Sequence, residues 1–254
     1  AGRQHIIHDA SVALQRTLDR RPTRSQMLLG LRGVGKTVLL NRIRELAEES
    51  GHLTSYIEAP ESKPLGELLT PQLHKVLRRL STREEARARV HSALQALRSF
   101  AAAFRISYGD TSISVEPEPG VADSGDLELD LADLFVQVGE AAKEAGKAWT
   151  LFIDEVQYLT AKDLSALIVA LHRVNQANLP ILFFGAGLPQ VAALSGNAKS
   201  YAERLFAYPP VGPLRKEDAI AAIRQPVLSE RASISDEALE DIFGQTHGYP
   251  YFLQ

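Results

Sequence analysis

Residues 30–37, "GLRGVGKT", combine three glycines with a lysine and a threonine. The spacing G-x-x-x-x-G-K-T is typical of a loop whose backbone N–H groups surround the phosphates of a nucleotide. In such a loop the lysine neutralises the β- and γ-phosphates, and the hydroxyl of the next residue binds Mg²⁺. The stretch therefore predicts a phosphate site in which Lys36 is the cation and Thr37 is a metal ligand. We expect the nucleotide to contact the following residues: Gly30, Leu31, Arg32, Gly33, Val34, Gly35, Lys36, Thr37 and Val38.

A second group of chemical interest is the acid pair that ends "LFIDE". Asp154 is predicted to hold Mg²⁺ through its water shell, and Glu155 to orient and deprotonate an attacking water. Two acids after an apolar strand also begin ordinary surface loops, and the upstream glycine loop is what favours the metal. A carboxylate that activates water favours hydrolysis of the nucleotide over transfer to a metabolite, so a small-molecule kinase is the weaker alternative.

The elements around these motifs alternate between strands and helices. The glycine loop lies between the apolar run "SQMLLG" and a helix predicted over 36–50, and "LTSYIE" follows as a second strand. Later, "WTLFIDE" and "LPILFFGAG" read as buried strands separated by a helix over 162–178. This order predicts an α/β fold of the P-loop NTPase class, a three-layer sandwich around a central parallel sheet.

The chain divides into two predicted domains. Residues 1–210 form the α/β domain, which carries an insertion at about 63–125 with helices at 65–80 and 83–104 and a β-hairpin around "YGDTS". Residues 211–254 carry helical patterns without strands, and "GYPYFLQ" begins a helix that the chain does not finish. We interpret this tail as a small all-helical lid that is incomplete at its C-terminus.

Composition narrows the function further. The chain of 254 residues has no cysteine and a net charge of -3, which excludes thiolate sites and a generally basic surface. It lacks the run of about 20 apolar residues that a membrane span needs, so we expect a cytoplasmic protein without membrane contact. Basic side chains nevertheless crowd 74–105, whereas 110–133 carries only acids. These runs are either solvated helix faces or a surface for a partner.

The two motifs, the later strand "LPILFFGAG" and the helical tail together resemble an AAA+ type P-loop ATPase. Within that superfamily the chain is similar to the branch of origin-recognition initiators, transposition helper ATPases and STAND signalling ATPases. The resemblance covers nearly the whole chain outside the insertion. It implies Mg²⁺-dependent ATP binding and hydrolysis, with ATP or ADP as the bound nucleotide, that remodels or assembles a protein or protein–DNA complex. The alternative is a slow-turnover STAND-like switch that acts as a signalling scaffold.

The resemblance also implies further site residues. Members of the superfamily self-associate and close the site with an arginine from a neighbouring subunit, and "SYAERLF" puts Arg204 in that place. Adenine contacts come partly from the segment before the first strand, which here offers Ile7 and His8. The Gly-x-Pro step of "HGYPYFLQ" resembles the STAND pattern and makes Tyr249 and Pro250 candidate contacts. A DNA or protein partner is expected to bind through the 63–125 insertion.

One position departs from the family pattern. A polar sensor residue normally stands at the tip of the strand that is "FFGAG" here, yet Gly185, Ala186 and Gly187 carry no polar side chain. Gln190, just beyond, is the nearest substitute along the sequence. The sequence therefore leaves open which group, if any, senses the nucleotide from this strand.

Overall fold

The structure is a computed structural model that describes residues 2–106 and 119–253. Its strands are β1 (Ser25–Leu29), β2 (Leu53–Glu58), β3 (Trp149–Asp154), β4 (Ile181–Gly187) and β5 (Phe206–Ala207). Its α-helices are α1 (Gln4–Leu18), α2 (Lys36–Glu49), α3 (Leu65–Leu80), α4 (Arg87–Ala103), α5 (Leu127–Glu144), α6 (Ala161–Gln176), α7 (Val191–Ala198), α8 (Ala202–Leu205), α9 (Lys216–Ser229) and α10 (Asp236–Thr246). Short 3₁₀ turns occupy Val156–Tyr158 and Pro250–Phe252. The β-hairpin predicted around 108–112 lies outside the described residues.

All strand pairs are parallel, and the order across the sheet is β2-β3-β4-β1-β5. This confirms the predicted parallel sheet and the four longer strands. The register pairs Ile153 with Gly185 and Leu28 with Ala186, so the carboxyl ends of β3, β4 and β1 meet at one edge. That edge is where the glycine loop and the acid pair both begin. In open parallel sheets, ligands bind outside this edge.

The sequence analysis does not predict the short strand β5. β5 is only two residues long, and it adds to the sheet by pairing with Ser25 and Gln26 of β1. Two residues carry too little periodicity to be distinguished from a helix end. β5 is therefore a strand because it pairs with β1, and its own sequence does not indicate one.

Two hydrophobic cores lie on opposite faces of the sheet. On one face, Phe152 and Phe184 stack with ring centroids 5.4 Å apart and pack with residues of α1 and α2. On the other face, Ile153 and Phe183 belong to a larger core that includes residues of α3 to α7. Successive strand residues point to opposite faces, which is why Phe152 and Ile153 enter different cores. The result is the three-layer α/β sandwich that the sequence predicts.

The described helices of the 63–125 stretch belong to the body of the domain. Leu69 and Leu73 of α3 and Phe100 of α4 are fully buried in the same core as Ile153. The stretch is thus inserted between β2 and β3 along the chain, while its apolar faces cover the sheet. The outer faces of α3 and α4 are left to carry the basic side chains.

The helices begin and end at recognisable signals. Asp126 accepts hydrogen bonds from the backbone of Glu128 and Leu129 at the start of α5, and Thr160 and Ser235 cap α6 and α10 in the same way. Helices α9 and α10 pack against each other after residue 215, and the predicted third helix appears only as the 3₁₀ turn Pro250–Phe252. No described helix is long and apolar enough to cross a bilayer.

Candidate functional site

The glycine loop joins the carboxyl end of β1 to the first turn of α2. Gly33 and Gly35 have φ of 78° and 87°, a region that residues with a side chain rarely adopt. Gly30 is required for a different reason, since a Cβ there would lie 2.0 Å from the carbonyl oxygen of Val211. The loop therefore bends tightly around the N-terminus of α2, whose free N–H groups and partial positive charge favour an anion.

Lys36 is the first residue of α2 and is almost completely buried in the loop. Its Nζ donates hydrogen bonds to the carbonyl oxygens of Gly30, at 3.0 Å, and Leu31, at 2.8 Å. Burial lowers the pKa of the Lys36 ammonium, and the negative charges of Glu155 and Asp154 act in the opposite direction. The loop thus holds a cationic side chain at its centre, next to the two acids.

Asp154 is a buried carboxylate with three hydrogen-bond donors around it. Thr37 Oγ1 donates to Asp154 Oδ2 at 2.6 Å, the hydroxyl of Tyr56 donates to the same oxygen at 3.2 Å, and the backbone N–H of Glu155 donates to Oδ1 at 2.8 Å. Burial and the Asp154 charge raise the pKa of Tyr56 to about 12, so its hydroxyl stays protonated and remains a donor. Asp154 and Thr37 are therefore held together, as their predicted roles at one metal ion require.

Tyr56 is a site residue that sequence reasoning missed. It lies in β2, next to β3 in the sheet, and β2 pairs residue by residue with β3 up to Glu58 and Asp154. The signal in the sequence was weak, because a tyrosine in an apolar strand normally indicates packing. Only the strand order reveals that its hydroxyl faces the acid pair.

The donor set at Thr37 and Asp154 fits Mg²⁺. Both residues offer oxygen atoms, the ligand type that this ion prefers. Among the residues that the structure describes, no group of three or more His, Cys, Asp or Glu side chains forms a metal cage. Mg²⁺ commonly binds through one or two protein oxygens and completes its shell with water and substrate phosphates. The residues thus fit an ion that is held jointly by the protein and a nucleotide.

Glu155 has an unusual backbone and a fixed side chain. Its φ of 55° and ψ of 41° are in the left-handed region, which costs a residue with a side chain about 1–3 kcal/mol. Its carboxylate accepts a hydrogen bond from Nε2 of Gln157. The Oε1 atom of Gln157 in turn accepts from the backbone N–H of Leu188, at 3.1 Å, directly after β4. Sequence reasoning did not single out Gln157.

A cavity of about 600 Å³ opens beside the glycine loop, within the usual range for small-molecule sites. Its walls come from the start of α1, the loop itself, the first turn of α2 and the helical tail. Of the residues predicted at the periphery, Ile7 and Pro250 line it, as does Glu155. His8 does not, and it is exposed. Successive residues of a helix point about 100° apart, and of these two only Ile7 lies on the side of α1 that lines the cavity.

The helical tail contacts the glycine loop directly. The hydroxyl of Tyr249 donates to the carbonyl oxygen of Arg32, and the backbone N–H of Tyr251 donates to that of Gly33 at 3.1 Å. From the other side, the Arg32 guanidinium donates to the hydroxyl of Tyr158 at 2.8 Å. Tyr249 therefore contacts the glycine loop through a hydrogen bond that the sequence did not predict, whereas Pro250 only lines the cavity.

Arg204 lies far from this cavity. It is exposed in α8 and shares a groove with Pro22 and Thr23, which precede β1 at the amino edge of the sheet. Arg24 fixes this helix because its guanidinium donates to the carbonyl oxygens of Glu203 and Phe206. The glycine loop lies at the opposite, carboxyl edge. Any contact of Arg204 with a nucleotide therefore requires a second copy of the chain.

Comparison with known families agrees with this geometry. The family model described as the AAA ATPase domain matches residues 1–184, which include the glycine loop and the acid pair. The chain belongs to the AAA ATPase family. No curated protein matches the sequence. As an AAA ATPase domain, the chain has the fold and nucleotide-binding class that its motifs indicate.

Solved structures show the same fold as this AAA ATPase domain. Cdc6p from Pyrobaculum aerophilum has a TM-score of 0.54 at 16% identity, over 94% of this chain and 53% of that protein. AMPPCP-bound DnaA from Aquifex aeolicus has a TM-score of 0.54 at 11% identity, over 100% of this chain and 59% of that protein. The replication initiator DnaA bound to AMPPCP and single-stranded DNA has a TM-score of 0.51 at 12% identity, over 95% and 56%. The chain thus spans little more than half of each.

Proposed function

We propose that this domain binds ATP together with Mg²⁺, hydrolyses it, and uses the cycle to assemble or remodel a protein or protein–DNA complex. The observation that carries the proposal is the meeting of Lys36, Thr37, Asp154 and Glu155 at one edge of the sheet, beside the cavity of about 600 Å³. A cation, a pair of metal-binding oxygens and a carboxylate are what phosphoryl transfer to water requires. The AMPPCP bound to the DnaA relative supports ATP as the nucleotide.

Each residue has a defined part in the proposed reaction. The loop N–H groups and the Lys36 ammonium bind and orient the phosphates, and Thr37 and Asp154 would hold Mg²⁺. The ion, when bound, supplies positive charge that neutralises the phosphate oxygens. Glu155 orients a water molecule for in-line attack and accepts its proton. Val38, which is largely exposed, lines the cavity, whereas Leu31 is similarly exposed and is not among the residues that line it.

The test of hydrolysis is a comparison of Glu155→Gln with Glu144→Gln. Glu144 is an exposed glutamate at the end of α5, so its change to glutamine controls for lost charge. We expect Glu155→Gln to lower ATP turnover about 100-fold or more while ATP affinity is retained. Glu144→Gln should turn over like the wild type. A wild-type chain whose turnover equals that of Glu155→Gln would refute hydrolysis at this site.

A slow nucleotide switch is the second candidate function. It is favoured by the hydrogen bonds of Tyr249 and Tyr251 to the carbonyls of Arg32 and Gly33, which link the helical tail to the loop that binds phosphate. A tail attached in this way would change position with the nucleotide state and present a partner surface. Tight ADP retention and slow turnover support the switch, and fast hydrolysis without any partner contradicts it.

Self-association is part of the proposal. Arg204 and the glycine loop lie at opposite edges of the sheet, so head-to-tail contact would bring Arg204 of one copy to the nucleotide of the next. Native mass with and without ATP should show a larger assembly with ATP. Arg204→Ala should reduce turnover in the assembly. A mixture of the Arg204→Ala and Glu155→Gln chains should regain part of the turnover, because each variant keeps the residue that the other lacks. A monomer with full turnover would exclude this role.

The partner is proposed to be nucleic acid bound at the outer face of α3. Lys75, Arg78 and Arg79 line a groove of about 760 Å³ beside the edge strand β2. Within residues 2–106 and 119–253, none of these three forms an ion pair. One structural relative was bound to single-stranded DNA. A protein partner with an acidic surface is the alternative.

Salt dependence tests whether a nucleic acid binds at this face. Phosphate contacts release counterions, so log affinity for DNA should fall linearly with log salt at a slope of about -0.7 to -0.9 per phosphate neutralised. The double variant Arg78→Ala/Arg79→Ala should show a shallower slope, which corresponds to the loss of about two phosphate contacts. Arg215→Ala, a change at an exposed arginine in front of α9, is the control. A flat salt response would exclude a nucleic acid at this face.

A further inference from the structure

Gln157 places a polar side chain at the tip of β4. Gly185, Ala186 and Gly187 present no polar side chain, yet the amide of Gln157 reaches this tip from the turn after β3. We propose that Gln157 is the positioning residue of Glu155 and supplies, from the turn after β3, the polar group that β4 lacks. The inference rests on the proposed hydrolysis, because Glu155 is the residue that it positions.

The orientation of the Gln157 amide follows from its partners. Its Oε1 accepts the backbone N–H of Leu188 at 3.1 Å, so the Nε2 group must face the other way. There it donates to Oε2 of Glu155. The Glu155 carboxylate accepts and the backbone N–H of Leu188 donates, so a flipped Gln157 amide would break both bonds. Gln157 is therefore locked between Glu155 and the end of β4.

Gly187 provides the space that this arrangement needs. A Cβ at Gly187 would lie 3.0 Å from Oε1 of Gln157 and 3.0 Å from the side chain of Val191. Both distances are too short for the neighbours to stay where they are. A side chain at this strand position would therefore crowd the Gln157 amide. The absence of a side chain at Gly187 thus leaves room for the Gln157 amide at the tip of β4.

The charges near Glu155 explain why its carboxylate needs a donor. The charged groups that act on the Lys36 ammonium are Glu155, Asp154 and Arg32, and the attraction by Glu155 is the largest of the three. Without the Gln157 bond the Lys36 ammonium would attract the Glu155 carboxylate into the phosphate loop, where it would compete with a nucleotide. The hydrogen bond from Gln157 keeps the carboxylate outside the loop, facing the cavity that Glu155 lines.

The discriminating variant is Gln157→Glu. A glutamate has the same shape and still accepts the N–H of Leu188, so any purely structural link to β4 is retained. It cannot donate to Glu155 when ionised, and it puts a like charge next to it. At a temperature where both proteins are folded, we expect ATP affinity within about 2-fold of the wild type and a turnover loss of about 10-fold or more. Gln190→Ala, which removes the exposed glutamine beyond β4, is the control and should match the wild type.

A second measurement does not depend on turnover. The side-chain amide resonance of Gln157 in a ¹H–¹⁵N spectrum, assigned by its loss in Gln157→Glu, reports the bond to Glu155. It should shift in Glu155→Gln and stay in place in Glu144→Gln. If the wild type shows no turnover above Glu155→Gln but this resonance shifts, hydrolysis fails and the contact stands. The inference is overturned if Gln157→Glu turns over ATP like the wild type, or if the Gln157 side-chain amide resonance does not shift in Glu155→Gln.

Discussion

The hydroxyl of Thr37 and the carboxylate of Asp154 are joined by a hydrogen bond of 2.6 Å across 117 positions of the sequence. Thr37 lies in the first turn of α2, which follows β1, and Asp154 lies at the end of β3. A single strand, β4, lies between β1 and β3 in the sheet, so the hydrogen bond spans the carboxyl end of β4. The two motifs that the sequence places far apart are thus one site. The hydrogen bond is also a direct target for testing the predicted metal.

Thr37→Val removes the hydroxyl and keeps the shape of the side chain. We expect ATP affinity in the presence of Mg²⁺ to fall about 10-fold, since one metal ligand and one hydrogen bond to a buried carboxylate are lost. Binding in the presence of a chelator should change little. Titration calorimetry with and without Mg²⁺ measures both. Thr37→Ser keeps the hydroxyl and should bind like the wild type, and equal Mg²⁺ dependence of the valine variant would show that Thr37 is not a ligand.

The first glycine of the loop gives a prediction about stability. A Cβ at Gly30 would be 2.0 Å from the backbone oxygen of Val211, which cannot rotate away. Gly30→Ala should therefore lower the free energy of unfolding by about 1–3 kcal/mol, as overpacking does. Urea unfolding measures the difference. Gly212→Ala is the matched control, because a Cβ at Gly212 has no heavy atom within 4 Å. A Gly30 variant as stable as this control would contradict the close packing.

Contact between the tail and the loop predicts an effect on nucleotide release. Tyr249→Phe removes only the hydroxyl that donates to the Arg32 carbonyl. We expect a fluorescent ADP analogue to dissociate several-fold faster, because one of two hydrogen bonds that hold the tail on the loop is gone. Tyr251→Phe is the control, since the bond of Tyr251 comes from its backbone N–H and its ring is exposed. Equal dissociation rates in the two variants would show that the hydrogen bond from Tyr249 does not affect nucleotide release.

The sequence predicted the loop and the acid pair because their residue types depend on local geometry. Gly33 and Gly35 need positive φ, and Lys36 and Thr37 begin a helix, all within eight residues. Tyr56 and Gln157 could not be predicted in the same way. Their roles depend on the order of strands β2, β3 and β4, which no local pattern encodes. The bonds from the tail to the loop were missed for the same reason, since they join residues more than 200 positions apart.

Part of the fold itself was also beyond local signals. The α3 and α4 stretch reads as an insertion because it interrupts the alternation of strands and helices. Its residues Leu69 and Phe100 are nevertheless fully buried on the sheet. An amphipathic helix shows that it has a buried face, and not which surface covers that face. The domain boundary at 210 and 211 stays a prediction.

A buried histidine predicts how stability depends on pH. His52 lies between α1 and β3, where one ring nitrogen lies 2.7 Å from Thr150 Oγ1 and the other 3.2 Å from the carbonyl oxygen of Leu14. The carbonyl can only accept, so Nε2 carries the proton and Nδ1 accepts from the threonine hydroxyl. Burial lowers the pKa of His52 from 6.5 to about 4. The folded protein therefore keeps this ring neutral.

Because the pKa is lower in the folded chain, the unfolded chain binds the extra proton first as pH falls. The contribution of His52 is fully present above about pH 6.5 and declines progressively below it until pH reaches about 4, by up to about 3 kcal/mol in total. His52→Gln should flatten the decline of unfolding free energy across this window, measured by urea titrations at successive pH values. His91→Gln, at an exposed histidine of α4, should leave the wild-type slope unchanged. A slope that is the same in all three proteins would show that His52 does not stay neutral in the folded chain.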